Sequence, residues 1–393
     1  MVKFAHIADS HLGGWRQPEL QQLNMQTFQT AIQTCVEEKV DFVLFAGDLF
    51  DSAFPPIETL KDTFAAFKKL RDAGIKSFLI AGSHDYSVSG KTFLDVLEKA
   101  GFCEICKYEE SEEEVILQPS KYQTIHIYGY PGKKSSLEVR SIKKIKIREP
   151  YEKNFRILML HTTLKEVAEG LPIESVSLAE LPKADYYALG HVHIDYEKDF
   201  NGKKVIYGGP LFPNNFKELE ELECGSFYLV EVNGYIKVTK KEVRLKDIVY
   251  IPVEIDNALT ATQKIIEELG KRDLKDKIVL LKVYGDITVG KASDINNKQI
   301  EEHIEKTGAF SFLKNTSQLE TEKKELKVEL QKDREKIEEI LIEKYRKENP
   351  SSFNELIIQL MDILPMEKQE DEKSAIFESR LFSELSKLLK LDL

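Results

Sequence analysis

The sequence predicts a layered α/β chain followed by a small α+β module and a helical tail, and three observations predict it. From Met1 to about Val232 short apolar runs alternate with amphipathic helical stretches, the pattern of strands covered by helices. Several of those runs stop at an Asp or a His. From Gln318 to Glu348 Lys and Glu dominate, and apolar residues return only at helical spacing.

Taken in order, Val2, Phe4 and Ile7 form a first strand that runs into Asp9 without a cleavable signal pattern, which predicts a cytoplasmic protein. Leu23, Phe28, Ile32, Cys35 and Val36 mark one helix, and Leu60, Phe64, Phe67 and Leu70 a second. Such faces pack on a sheet or are shared between two copies of the chain. A second unit begins near Tyr250, where Ile251, Val253 and Ile255 alternate. A strand of Ile278, Val279, Leu280, Leu281 and Val283 and a helix around Ile300 to Ile304 complete it. It holds no catalytic constellation, so its expected job is to shape or cover a substrate groove.

Beyond it, Leu326, Leu330, Ile337 and Leu341 predict a charged connector helix. Ser352 and Glu355 form a capping-box pattern ahead of Phe353, Leu356, Ile357, Leu360 and Ile363, closed by Pro365. A last helix carries Phe377, Leu381, Leu385 and Leu388. Two short amphipathic helices with little core of their own read as a docking element for another protein. The expected division is therefore residues 1–235, 236–315, 316–349 and 350–393.

The bulk numbers narrow the function. At 393 residues the chain exceeds the usual span of a single core, and 42% hydrophobic with 31% charged residues is a soluble composition. Four cysteines make no disulfide framework, and Cys103 and Cys106 lack a second pair at zinc-site spacing, so reduced thiols are expected. A net charge of -11 argues against tight autonomous polyanion binding, leaving contacts that are local, metal-assisted or shared with a partner.

The chemistry lies where the runs end. Val2 to Ala8 leads to Asp9-Ser10-His11, Phe42 to Ala46 to Gly47-Asp48, and Phe78 to Ala81 to Gly82-Ser83-His84-Asp85. Ile157 to Leu160 ends in His161, and Tyr186 to Leu189 leads to Gly190-His191-Val192-His193. Ligand sites in α/β sheets form at carboxyl ends of strands, so these groups are expected to meet there, with Gly47, Gly82 and Gly190 making the sharp turns. Carboxylates and imidazoles without thiolates suit borderline or hard divalent ions such as Mn²⁺, and so many donors call for two ions about 3.5–4 Å apart. Asp48 is the candidate bridge between them. His84, beside the cluster, is the candidate unligated acid for the leaving 3′ oxygen.

The order of these motifs resembles the calcineurin-like metallophosphoesterases. The text around them, His6-Ile7-Ala8-Asp9-Ser10-His11-Leu12-Gly13, Gly47-Asp48-Leu49-Phe50 and Tyr187-Ala188-Leu189-Gly190-His191-Val192-His193, resembles the Mre-eleven nuclease family, related to bacterial SbcD. The resemblance implies a four-layer sandwich of two mixed sheets flanked by helices, a capping domain and a C-terminal helix-loop-helix. It implies two Mn²⁺, one held by Asp9, His11, Asp48 and His193 and the other by Asp48, Ser83, His161 and His191. A manganese-dependent DNA nuclease of double-strand-break repair follows, with 3′-to-5′ exonuclease and single-strand endonuclease activity. Its implied partners are DNA, a Rad-fifty-type coiled-coil ATPase at the C-terminal helices, and a second copy docked near Phe64, Phe67, Phe93 and Leu97.

Two departures stand out. Ser83 replaces the family's usual Asn, which implies weaker hold on the second ion, and Asp51 stands where some relatives carry His. Asp85 either orients an imidazole or caps a turn; His6 and His126 read as structural and His303 as a helix-surface residue. Lys133, Lys134, Arg140, Lys143, Lys144, Lys146 and Arg148 offer either a grip on a DNA backbone or a Lys-rich edge. Rival readings are a phosphoesterase acting on small or protein phosphoesters, and a repair scaffold with little catalysis.

Overall fold

The protein is described from a computed structural model. It covers residues 1–87, 92–151, 154–168, 173–321, 342–343, 346, 354–366 and 374–389. Two compact units result, Met1–Glu322 and Lys323–Leu393.

The first unit is built on two six-stranded mixed sheets. One runs in the order β15 (Ile236–Val243), β14 (Gly225–Val232), β1 (Val2–Ile7), β2 (Phe42–Ala46), β3 (Lys76–Ile80) and β4 (Glu104–Ile105). Its strands β1 to β4 are parallel, and the β14–β15 hairpin lies antiparallel beside β1. The other has the order β12 (Tyr196–Phe200), β13 (Lys203–Tyr207), β11 (Tyr186–Gly190), β10 (Phe155–His161), β8 (Ile125–Tyr130) and β7 (Ser120–Tyr122). Here the four inner strands are parallel and both edges antiparallel.

Continuous apolar runs become strands because both faces are covered. Alternate residues of β2 point opposite ways: Phe42, Leu44 and Ala46 meet Ile127, Ile157, Met159 and Ala188 between the sheets. Val43 and Phe45 face the helices α1 (Pro18–Glu37) and α2 (Ile57–Asp72). The short α3 (Leu94–Lys99) closes that layer. The outer face of the second sheet is covered around Ile142 and Leu164 by α4 (Glu138–Ile142) and α5 (Lys165–Ala168), with a small sheet of β5 (Tyr108–Glu110), β6 (Val115–Leu117) and β9 (Ile145–Lys146). Helix, sheet, sheet, helix is the expected four-layer arrangement. Phe28 of α1 is wholly buried, and its truncation to Ala would cost about 3–5 kcal/mol.

After α6 (Phe216–Leu222) and the hairpin, a separate three-stranded parallel sheet follows: β16 (Ile248–Glu254), β17 (Ile278–Ile287) and β18 (Ser311–Thr321). Helices α7 (Ala258–Gly270) and α8 (Asn297–Thr307) cover one face around Ile265, Leu281 and Ile300. The other face, through Ile278, Leu280 and Leu313, packs on Trp15, Leu20, Phe212 and Leu219.

Three expectations are corrected. Residues 236–243 pair with β14 and extend the first sheet, because the turn at Gly234 folds them back. Residues 316–321 continue β18 against β17 and are not helical. Phe67 and Leu97 lie wholly inside the core, with Phe64 and Phe93 half-buried against it, so the first two are not partner surface.

In the second unit the described helices are Ile357–Ile363 and Ser374–Leu389, which contact each other. Met361, Leu364 and Phe382 are exposed on them. The connector residues Leu326, Leu330, Ile337 and Leu341, and Ser352 with Phe353, lie outside the described residues. No helix among the described residues is long and apolar enough to cross a membrane.

Candidate metal centre

Parallel pairing brings the strand ends together. Ile7 lies opposite Phe45, Ala46 opposite Ile80, and in the second sheet His161 opposite Gly190. The loops beyond stay in step: Asp9 N donates to Gly47 O at 3.1 Å and His11 N to Asp48 O at 3.0 Å. Both sheets therefore deliver side chains to one pocket. Four of those residues have left-handed backbones, Asp9 at φ 52°, His11 at 42°, Asp48 at 47° and His191 at 94°. Each such residue costs about 1–3 kcal/mol, a strain that clusters where geometry serves a site.

Three groups of donors form, Asp9 with His11 and His193, His11 with Asp48 and His84, and Asp48 with His161 and His191. Within each group the donor atoms lie within 4.8 Å of one another. Asp48 Oδ2 stands 3.6 Å from His11 Nε2 and 3.1 Å from His161 Nε2, between the two outer groups.

The tautomers show what the pocket is suited to hold. His11 Nδ1 lies 3.1 Å from Asp51 Oδ1, and His193 Nδ1 lies 2.9 Å from Glu218 Oε1. With Nδ1–H donated to a carboxylate in each ring, both Nε2 atoms carry lone pairs, and these face each other at 3.1 Å. Two lone pairs at that distance repel unless a cation or a proton lies against them. His161 Nδ1–H donates to Ala46 O at 3.0 Å, which turns its buried Nε2 toward Asp48 Oδ2 at 3.1 Å, while the buried Oδ2 of Asp9 has no hydrogen-bond partner among the described residues. Among the described residues no Lys or Arg forms an ion pair with Asp9, Asp48, Asp51, Asp85 or Glu218. Carboxylates balanced by imidazoles alone, with ring nitrogens turned inward, fit divalent cations.

Electrostatics agree. Burial penalises the Asp48 carboxylate, but the imidazoles of His161 and His11 outweigh the penalty and hold it well below the usual range. Burial likewise works against a charged His161, yet Asp48 outweighs it and lifts the imidazole to about 10. Burial and the neighbouring His161 push His191 down to about 4. Burial holds Asp9 above the ordinary carboxylate range, against the pull of His193 and His161.

The glycines serve approach more than turning. Of the three expected turn formers only Gly47 has a positive φ, 92°. A Cβ there would stand 2.2 Å from His161 Nδ1, and one on Gly82 would stand 2.1 Å from Asp48 Oδ1. Asp85 caps the turn, accepting from Gly82 N at 2.8 Å and Phe50 N at 3.0 Å. His84 N donates to Asp48 Oδ1 at 2.8 Å, and the exposed ring donates Nδ1–H to Asp51 O at 2.8 Å. Beside it opens a cavity of about 550 Å³ lined by Phe54, Ser83, His84, Tyr86, Lys134 and neighbours.

His6 is buried 3.0 Å from the Tyr186 hydroxyl and pushed down to about 3 by burial, a structural role. His126 pairs with Glu149, and His303 is half-buried on α8. All four cysteines are free, and burial pushes Cys103 and Cys106 up to about 12. The basic segment is largely neutralised in place: Lys133 pairs with Glu110, Arg140 with Glu174, Lys143 with Glu180, and Lys146 and Arg148 with Glu114. Sequence reading missed Glu218 and Asn214, whose Nδ2 donates to Asp51 at 3.3 Å. The cap formed by Asn215 on Glu218 N was a readable helix start, but its bearing on His193 was not.

The family model described as calcineurin-like phosphoesterase matches residues 2–195. The chain is 25% identical to the DNA double-strand break repair protein Mre11 of Archaeoglobus fulgidus, over 94% of this chain and 82% of that protein. It is 30% identical to the protein of the same description from Methanocaldococcus jannaschii, over 64% of this chain and 67% of that one. A solved dimetal phosphatase from Danio rerio aligns at 10% identity with a TM-score of 0.39, over 61% of this chain and 96% of that one.

Proposed function

Because this chain belongs to the calcineurin-like phosphoesterases and is related to the archaeal Mre11 proteins, it is a metal-dependent phosphoesterase, and we propose that its substrate is DNA. The reading is a manganese-dependent 3′-to-5′ exonuclease and single-strand endonuclease of double-strand-break repair, cytoplasmic and nucleoid-associated. It works with a Rad-fifty-type ATPase held by the C-terminal helices, and as a homodimer. The observation that carries the two-ion reading is Asp48 Oδ2 standing between His11 and His161.

In this reading Asp9, His11, Asp48 and His193 hold one Mn²⁺, and Asp48, Ser83, His161 and His191 hold the other. When bound, the pair supplies Lewis acidity to the attacking and leaving oxygens of an in-line displacement at phosphorus. The chain does the rest. Asp51 and Glu218 fix the rings of His11 and His193, so that both Nε2 atoms aim into the pocket. His84, with Nδ1–H held by Asp51 O, presents Nε2 to the leaving 3′ oxygen; acting as the acid it is the doubly protonated imidazolium, which hands over the Nε2 proton and keeps Nδ1–H.

His84→Ala should lower kcat on single-stranded DNA under Mn²⁺ by roughly 10²–10⁴-fold while calorimetric Mn²⁺ binding stays intact. Equal, negligible cleavage by parent and variant would favour a scaffold. Run beside DNA, bis-p-nitrophenyl phosphate should be hydrolysed and p-nitrophenyl phosphate poorly; the reverse preference would assign a phosphomonoesterase.

A further inference from the structure

We propose that α6 is a strut that carries the position of the β16–β18 sheet into the metal centre, with Glu218 as the positioning residue for His193. The inference rests on the two-metal reading above. Helix α6 presents three consecutive residues to three different surroundings. Glu218 receives Nδ1–H of His193 on Oε1 at 2.9 Å, and its Oε2 accepts Asn214 N at 2.8 Å, so both carboxylate oxygens are fixed. Leu219 is wholly buried in the cluster that contains Ile278, Leu280 and Leu313 of the three-stranded sheet. Glu220 then receives Lys282 of β17 at 3.2 Å, with both side chains 22% exposed. The helix also lies against β18.

The start of α6 is equally tied. Asn215 Oδ1 accepts Glu218 N at 3.0 Å, and Asn214 Nδ2 reaches Asp51, the carboxylate that orients His11. A shift of the sheet therefore moves Leu219 and Glu220, and Glu218 between the cap and Leu219 moves with them. The ring it steers is one of the two whose Nε2 atoms face each other at 3.1 Å. Partners of this kind, one bond removed from an ion, change its affinity by roughly 10–100-fold when lost. The sheet contributes none of the donor groups, yet through α6 it sets how well one ion position is formed.

Calorimetric titration of the full chain with Mn²⁺ tests this on four proteins. In the parent, two ions should bind. Glu218→Ala should weaken one class of binding roughly 10–100-fold and leave the other within about threefold. Glu218→Gln, which keeps an acceptor for His193 Nδ1–H, should recover most of the loss. Lys282→Glu, which sets two like charges against each other at the foot of α6, should weaken the same class by roughly three- to tenfold, although it touches no donor group. Circular dichroism checks that each variant folds; if Glu218→Ala does not, Glu218→Gln and Lys282→Glu decide. Unchanged binding in Lys282→Glu overturns the strut, and unchanged binding in both Glu218 variants overturns the positioning role while leaving the phosphoesterase standing. A parent that binds no Mn²⁺ overturns the two-metal reading itself.

Discussion

In the β16–β18 sheet and its helices, the helix ends and nearly all the left-handed backbone positions fall on residues suited to them. Asn257 and Asn296 cap α7 and α8 through their side-chain oxygens, and Gly308 ends α8 in the left-handed region at φ 72°. Asp276 is the only described non-glycine residue there with a positive φ. The metal centre inverts these habits. Its left-handed positions are filled by Asp9, His11, Asp48 and His191, and the buried Oδ2 of Asp9 has no hydrogen-bond partner among the described residues. Local preference and tertiary demand agree in one region and conflict in the other, and conflict of that kind is what a functional site produces. The same contrast explains why catalytic candidates come from the sandwich alone.

The largest test of the contrast compares two glycines. Gly47→Ala puts a methyl 2.2 Å from His161 Nδ1 at a φ of 92°, with no room to yield between β2 and β10. Its expected cost is about 4 kcal/mol, with Mn²⁺ binding lost as His161 is displaced. Gly308→Ala meets only Lys275 Cγ at 3.8 Å, so it carries the backbone penalty alone, about 1–2 kcal/mol. Urea midpoints of both variants measure the difference. Similar midpoints would mean the pocket is no more constrained than a helix end.

How much was legible in the sequence follows the same division. Asp9, Asp48 and His161 could be read because each follows a run of residues buried on both faces, and such runs end where a parallel sheet ends. The pairing of His193 with Glu218 could not, since 25 residues and a strand pair separate them and only the fold brings α6 to the pocket. Residues 316–321 resembled a charged connector because β18 is an edge strand whose outer face is solvated, so its polar text hides a ladder. The resemblance implies a partner surface that includes Phe67, and helical spacing could not correct it, because it marks an apolar stripe without saying which part of it the core consumes.

A smaller effect should appear in the metal-free protein as a function of pH. His161 is raised to about 10, so its charge contributes stability fully present below its ordinary 6.5 and lost as pH rises through 10. Asp48 is lowered, so its contribution is present above its ordinary 3.8 and lost only as pH falls. In a chelator the Tm should therefore decline between pH 6.5 and 10, and His161→Gln should flatten that decline. Added Mn²⁺ should oppose it, since an ion competes with the proton for the same Nε2. A chelated parent with a level Tm across this range would show that the Asp48 and His161 pair does not hold the empty pocket together.

The smallest effect concerns charge outside the pocket. Lys133, Arg140, Lys143, Lys146 and Arg148 are already paired with Glu side chains, the last two sharing Glu114, so their charge is largely matched in place. Lys134 is exposed, forms no ion pair among the described residues and lines the cavity beside His84. If DNA enters there, Lys134→Ala should reduce the slope of log K against log salt by about one for single-stranded DNA, and Lys146→Ala should leave it unchanged. Fluorescence anisotropy across a salt series, with metal and without turnover in Ca²⁺, reads both. An identical slope for the two variants would show that the segment is a solvated edge and that the strand reaches the metal centre from another side.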